Sequence, residues 1–183
     1  LLMPAWEREG YIGVKMVNVF PQNAEHGLPA IAGVYLLSEG AHGRPLACID
    51  GSELTRRRTA AASALAAREL AREDAETLLV VGTGKLAPMV IEAHAAVRPI
   101  RRVRIWGRSL AKAEALAAEY TDRFDTSAVT DLEAASRQAD IISCVTLSTE
   151  PLIRGAWLAP GTHLDLIGAF RPTMRETDAE CLV

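Results

Sequence analysis

Three features of the sequence predict an α/β protein built on a parallel sheet with helices on both faces. From Thr77 onward, short apolar runs alternate with alanine- and leucine-rich stretches of helical composition. A glycine-rich turn, Gly82-Thr83-Gly84, follows the first of those runs. Ahead of Thr77 the pattern differs: short β-type runs end in one long alanine-rich segment. Alternating strand and helix signals read as consecutive βαβ units. Strand signals without interleaved helices read as part of a separate, mixed α+β region. The chain is therefore expected to divide near 73/74, into residues 1–73 and residues 74–183.

In the first region, "YIGVKMVNVF", "AGVYLLS" and "PLACID" are short, rich in Val, Ile and Tyr, and separated by Pro, Gly, Asn and His, so they predict a meander of strands. Asp50-Gly51-Ser52 supplies turn and cap chemistry ahead of a helix from about Glu53 to Arg72. In the second region the predicted order is "TLLVVG" strand, "LAPMVIEAHAAV" helix, "RVRIWG" strand, "LAKAEALAAEY" helix, "TSAV" strand, "DLEAASRQA" helix, then "DIISCVT" and "THLDLIGA" strands.

Composition bounds the function. A chain of 183 residues, 49% of them hydrophobic, can bury a sizeable core. The net charge of -3 offers no broad basic field, so nucleic acid and acidic membrane surfaces are not expected as partners and a small molecule is. No run is apolar for long enough to span a bilayer. Cys48, Cys144 and Cys181 are odd in number and far apart, which argues for reduced, buried thiols and a cytoplasmic setting. His26, His42, His94 and His163 share no local spacing, so no metal is expected. Both ends of the sequence read as interior to a continuing pattern, so it is expected to be a piece of a longer protein.

Gly82-Thr83-Gly84-Lys85-Leu86-Ala87 fits G-x-G-x-x-A between a strand and a helix, the context of a Rossmann-type phosphate turn. Gly82 allows the tight turn, Gly84 clears space for a pyrophosphate, and Ala87 keeps the helix close to the sheet, while N–H groups at the helix start attract an anion. The alternative is a plain strand-to-helix bend. No G-K-[ST] ending is present, which excludes a Walker loop. In NAD-selective sheets an acidic residue about 20 residues on takes the ribose hydroxyls. Here the second strand ends Ile105-Trp106-Gly107-Arg108-Ser109 with no carboxylate. Arg108, Ser109 and Lys112 suit a 2′-phosphate, so NADPH is expected as the preferred cofactor, with NAD open. Arg108 could otherwise be a solvated residue at a helix start.

Alone, Lys15 in "GVKMVNVFPQN" would be an edge lysine, and Arg56, Arg57 and Arg58 the solvated face of a helix. Together, however, "LMPAW", "GVKMVNVFPQN", "GLPA", "IDGSELTRRRTAAASALAARELA", "VVGTGKLA", "VRIWGRS" and "VTLSTEPLI" stand in an order that resembles the ornithine cyclodeaminase and mu-crystallin family over nearly the whole chain.

The resemblance implies a homodimer of two-domain subunits: a substrate-binding and dimerisation domain built from the beginning and far end of the chain, and a Rossmann-type domain between them. This sequence would then hold part of the first and most of the second, without a substrate-binding arginine that the family carries further upstream. By the same resemblance Lys15 is the active-site lysine, which contacts the substrate carboxylate and nitrogen and transfers a proton, and Arg58 grips the carboxylate. Thr59 is similar to a residue that contacts the cofactor phosphates, and Thr146 and Leu147 lie beside the nicotinamide ribose. Arg56 and Arg57 match nothing fixed. One departure stands out: Phe170 occupies the place of an aspartate in ornithine-cyclising members. Members with "GAF" or "GAS" before a residue and proline resemble imine reductases, and the likeness to mu-crystallin at "RIW-x-R" and "VTL-x-TEP" points the same way. The expected activity is NADPH-dependent reduction of a cyclic ketimine carboxylate such as 1-pyrroline-2-carboxylate. Alternatives are ornithine cyclodeamination, NAD-dependent amino-acid dehydrogenation, and a non-catalytic NADPH-binding protein or inactive fragment.

Overall fold

A computed structural model of the chain describes residues 1–29 and 31–182; Ala30, the last residue of the "GLPA" stretch, and Val183 lie outside the described residues. The chain divides into two compact units, Leu1–Arg58 and Thr59–Val183.

The first unit is an antiparallel sheet in the order β1 (Leu2–Trp6), β2 (Tyr11–Val19), β3 (Ile31–Glu39), β4 (Pro45–Asp50). β2 to β4 are the meander that the Val/Ile/Tyr-rich runs predict. β1 was not anticipated, because Pro4 weakens its strand signal. As an edge strand it tolerates a residue that cannot donate to a ladder. In register, Met3 faces Lys15, Lys15 faces Tyr35 and Tyr35 faces Ile49. On the same face Gly13 lets the Tyr35 ring cross the strand, since a Cβ there would sit 1.8 Å from the Tyr35 hydroxyl. The other face leaves Leu2, Trp6, Ile12, Met16 and Leu36 exposed. Asp50 caps the helix that follows, α1 (Gly51–Leu70), by accepting from the N–H groups of Ser52 (2.7 Å) and Glu53 (3.1 Å).

The two units part inside α1, at Arg58/Thr59, ahead of the 73/74 division that composition suggests. The reason lies on one stripe of the helix. Ala60, Ala64, Ala67 and Ala71 recur at helical spacing and are buried, and Ala67 and Ala71 belong to the core of the second unit.

That second unit is a five-stranded parallel sheet in the order β7-β6-β5-β8-β9, made of β5 (Thr77–Val81), β6 (Arg102–Trp106), β7 (Asp125–Ala128), β8 (Ile141–Cys144) and β9 (His163–Leu166). The intervening helices are α2 (Ala87–Ala95), α3 (Leu110–Ala118) and α4 (Leu132–Arg137), the last capped by Asp131 accepting from Ala134 N–H at 2.9 Å. Both faces are covered, as a parallel sheet requires. Leu78 and Val80 pack with Ala87, Ile91 and Ala113 on one side. Leu79 and Val81 pack with Ala135, Ile142, Cys144 and Ile153 on the other. Strand order reverses at β5, so the chain leaves this sheet in opposite directions from β5 and β8. Among the described residues no helix is long and apolar enough to cross a membrane.

All three cysteines are free thiols. Cys144 is buried, and burial raises its pKa well above the ordinary thiol value. Cys181 is half-buried, with its thiol pushed up to about 11 by burial and then by the hydrogen bond to Asp178. Cys48 departs from the expectation of a buried thiol. It lies on the open face of β4 and is exposed.

Candidate functional site

The C-terminal ends of β5, β6 and β8 enclose a cleft of about 360 Å³ at the point where strand order reverses. That is where an open parallel sheet leaves room for a ligand, because its connections diverge to opposite faces. Gly82 has φ of +126°, a backbone conformation that favours glycine, and a Cβ there would press to 2.9 Å from Val145. Its N–H donates to the Trp106 carbonyl at 2.8 Å, which locks the turn to the end of β6. Gly84 faces open space: a Cβ built on it would meet nothing within 4 Å. Ala87 N–H donates back to the Gly84 carbonyl at 3.0 Å, and the N–H groups from Thr83 to Leu86 find no backbone acceptor among the described residues. A row of free N–H groups at the start of a helix suits an anionic group, so the turn fits a pyrophosphate on its own geometry.

Gly82, Thr83, Gly84, Arg108, Ser109, Lys112, Thr146 and Leu147 are brought together along this cleft. Arg108 and Ser109 are exposed at its rim, and no carboxylate lines it among the described residues. Trp106, Gly107, Val145, Ser148 and Leu152 complete the lining and were not singled out from sequence. Four expected residues do not line it. Thr59 lies half-buried on α1, Lys85 projects as an exposed side chain, Leu86 precedes α2, and Ala87 is fully buried where α2 meets the sheet. For Ala87 that is the close helix-to-sheet packing its position in the motif calls for. Lys85 and Leu86 stand between the cleft-lining Gly84 and the first residue of α2, outside the lining itself.

Beneath the cleft sits a residue that sequence reading missed. Glu176 is 2% exposed, and its carboxylate accepts from Thr146 N–H and Thr146 Oγ1, both at 2.7 Å, and from Gly168 N–H at 3.0 Å.

In the first unit, Lys15 is 9% exposed on β2. Burial lowers its pKa below the ordinary lysine value, and the nearby positive charge of Arg58 lowers it further. The three consecutive arginines separate cleanly. Arg56 and Arg57 both pair with Glu53, the latter at 2.6 Å, whereas Arg58 has no ion pair among the described residues. Arg58 thus keeps its fork of donors available, while its neighbours are spent on the helix surface.

Asp165, whose role sequence left open, is a structural acceptor. It takes hydrogen bonds from Ser63 Oγ (2.9 Å) and Ser143 Oγ (2.6 Å), and His94 Nε2 stands 3.5 Å away, at ion-pair distance but beyond good hydrogen-bond geometry. Burial alone would raise the Asp165 carboxyl. Its interactions with His94, Ser143 and Ser63 outweigh that and hold it below the ordinary carboxylate value. Phe170 is exposed after β9, with the Arg171 guanidinium 5.7 Å from its ring centre.

Strand order, glycine turn and cleft together define a Rossmann-type α/β fold. The sequence profile of the ornithine cyclodeaminase/mu-crystallin family matches residues 1–183, and the chain belongs to that family. It is 46% identical over 178 residues to Delta(1)-pyrroline-2-carboxylate reductase of Paracoccus denitrificans, covering 95% of this chain and 56% of that relative. Among solved structures, Delta(1)-pyrroline-2-carboxylate reductase of Thermococcus litoralis in complex with NADH and L-proline superposes with a TM-score of 0.84 at 28% identity, covering 98% of this chain and 61% of that one. An archaeal alanine dehydrogenase dimer with bound NAD gives a TM-score of 0.90 at 34% identity, covering 99% of this chain and 56% of that one. The chain thus spans little more than half the length of the curated relatives it matches.

Proposed function

We propose that this chain is part of an NADPH-dependent reductase that converts a cyclic ketimine carboxylate, such as 1-pyrroline-2-carboxylate, to the cyclic amino acid. The observation that carries the cofactor reading is the cleft itself: a phosphate-type turn at Gly82–Gly84 faces a rim holding Arg108, Ser109 and Lys112, with no carboxylate for a ribose 2′-hydroxyl. The substrate reading rests on Lys15 and Arg58 and on the likeness to the two pyrroline carboxylate reductases. Phe170 adds to it, because a phenyl ring cannot do the acid-base work of cyclodeamination.

In this reading residues 1–73 supply substrate-binding and dimerisation groups together with the connecting helix α1, and residues 74–183, joined by Thr59 of that helix, bind the dinucleotide. Arg58 holds the carboxylate through two parallel N–H bonds. Lys15 holds a proton at the imine nitrogen, and its lowered pKa makes that proton easier to give up. The bound cofactor supplies the hydride that reduces the imine carbon. The product is a secondary amine: the C=N bond becomes C–N, carbon gains one hydrogen as hydride, and nitrogen gains one as the proton from Lys15. Thr59, Thr83, Lys85, Leu86, Ala87, Thr146 and Leu147 belong to the cofactor side. The exposed apolar face of the first sheet and the dimeric alanine dehydrogenase neighbour support a homodimer. Three free cysteines support a reducing, cytoplasmic setting.

A second reading, oxidative deamination of an amino acid with NAD, is favoured by the alanine dehydrogenase likeness, but the rim of the cleft lacks the carboxylate that NAD selectivity uses. Lys15→Ala in the full-length protein tests the assignment. It should abolish imine turnover while NADPH still binds, and normal turnover would remove Lys15 from the site.

A further inference from the structure

Glu176 is a charged residue that the proposed chemistry does not use, yet it is almost completely buried and fully engaged. Its own backbone is fixed, since the Glu176 carbonyl accepts from the N–H groups of Leu152 (2.8 Å) and Ile153 (3.0 Å). Its carboxylate spans two segments. Oε1 takes both the N–H and the hydroxyl of Thr146, just beyond β8, and Oε2 takes the N–H of Gly168, just beyond β9.

The consequence for Thr146 follows from counting donors and acceptors. A threonine hydroxyl has one proton and two lone pairs. A carboxylate only accepts, so the Thr146 proton is committed to Glu176. One lone pair receives the Ser148 N–H at 3.3 Å. The other is left for a hydrogen-bond donor in the cleft that Thr146 lines. Gly168 completes the device. Any side chain there would put a Cβ 1.8 Å from the Thr146 carbonyl oxygen and 2.6 Å from Glu176 Oε1, so only glycine lets the post-β9 loop reach the carboxylate.

We propose that Glu176 is a positioning residue that fixes Thr146 as a hydrogen-bond acceptor toward the cleft and ties the cleft floor to the loop bearing Phe170. The partner this selects is a donor of the kind a nicotinamide nucleoside presents, a ribose hydroxyl or a carboxamide NH₂. This rests on the dinucleotide reading of the cleft. A glutamine at 176 cannot replace the carboxylate, because its NH₂ group would face either the Gly168 N–H or the Thr146 donors.

The test compares the full-length wild type with Glu176→Gln, Thr146→Val, Thr146→Ser and the Glu176→Gln/Thr146→Val double variant, by NADPH and NADH titration, steady-state kinetics and melting temperature. Glu176→Gln and Thr146→Val should each raise the cofactor Kd roughly tenfold, with the imine KM nearly unchanged. The double variant should be no weaker than either single, because both remove one device. Thr146→Ser, which keeps the hydroxyl, should bind as wild type does. A Glu176→Gln protein that melts earlier but binds cofactor normally would reduce Glu176 to a structural anchor and overturn the proposal. So would independent losses that multiply in the double variant. Should Glu176→Gln fail to fold, equal affinities for Thr146→Val and wild type overturn it as well. Wild-type protein that binds neither NADPH nor NADH would remove the cofactor reading and this proposal with it, whereas normal wild-type binding with unaffected variants would remove this proposal alone.

Discussion

Arg108 offers the sharpest quantitative test of cofactor choice. It stands at the rim of the cleft with Ser109 and Lys112, and it is exposed. A hydrogen bond from a guanidinium to a phosphate contributes about 1.5–3 kcal/mol. Exposure to solvent and salt puts Arg108 at the lower end, near 1.5 kcal/mol, or roughly tenfold in affinity. Arg108→Ser should therefore weaken NADPH binding roughly tenfold and leave NADH almost unchanged. The loss should stay that small because Lys112 remains in the cleft lining to meet a 2′-phosphate. Arg108→Asp adds repulsion of about 1 kcal/mol and an acceptor for the ribose hydroxyls, so the NADPH-to-NADH preference should fall by roughly a hundredfold in total. Calorimetric titration of both cofactors reads this directly. Repeating it at high salt should shrink the NADPH advantage of the wild type, because the interaction is solvent-exposed. A ratio that stays the same in both variants would refute the role assigned to Arg108.

Two further outcomes are expected. Lys15 is held below the ordinary lysine value chiefly by burial and secondarily by Arg58, so Arg58→Met should raise its pKa only part of the way back. NMR titration of the Lys15 amine checks this, and a pKa that falls or stays put would contradict it. Asp165, with its carboxyl held below the ordinary value, contributes stability that is present above the unfolded carboxylate pKa and lost as pH falls through the lower folded value. Asp165→Asn should cost about 1–3 kcal/mol near pH 7 and flatten the acid limb of the stability curve, and urea unfolding from neutral to acid pH that shows parallel curves would refute that.

Much of the second unit was legible because its signals are local. Apolar runs such as "TLLVV" and "IISC" alternate with helical periods, and the glycines of the turn sit where a strand becomes a helix. Gly82, Arg108 and Thr146 lie at strand ends for that reason, and the parallel sheet brings those ends together. What was illegible depends on contacts distant in sequence. Glu176 meets Thr146 across thirty positions, with nothing in "RETD" to mark a buried carboxylate. β1 is a strand through its pairing with β2 and not through its own composition. The unit boundary falls inside α1 because a stripe of alanines packs onto the second core, whereas composition changes only after the helix ends. That stripe at 60, 64, 67 and 71 was the available signal.

The measurement closest to the central claim is NADPH oxidation, followed by absorbance, with 1-pyrroline-2-carboxylate and the full-length protein, run beside NADH with the same imine and beside ornithine with NAD. Turnover of the imine, faster with NADPH than with NADH and absent with ornithine, is the predicted result. Release of ammonia from ornithine, or no imine turnover by protein that binds NADPH, would contradict it.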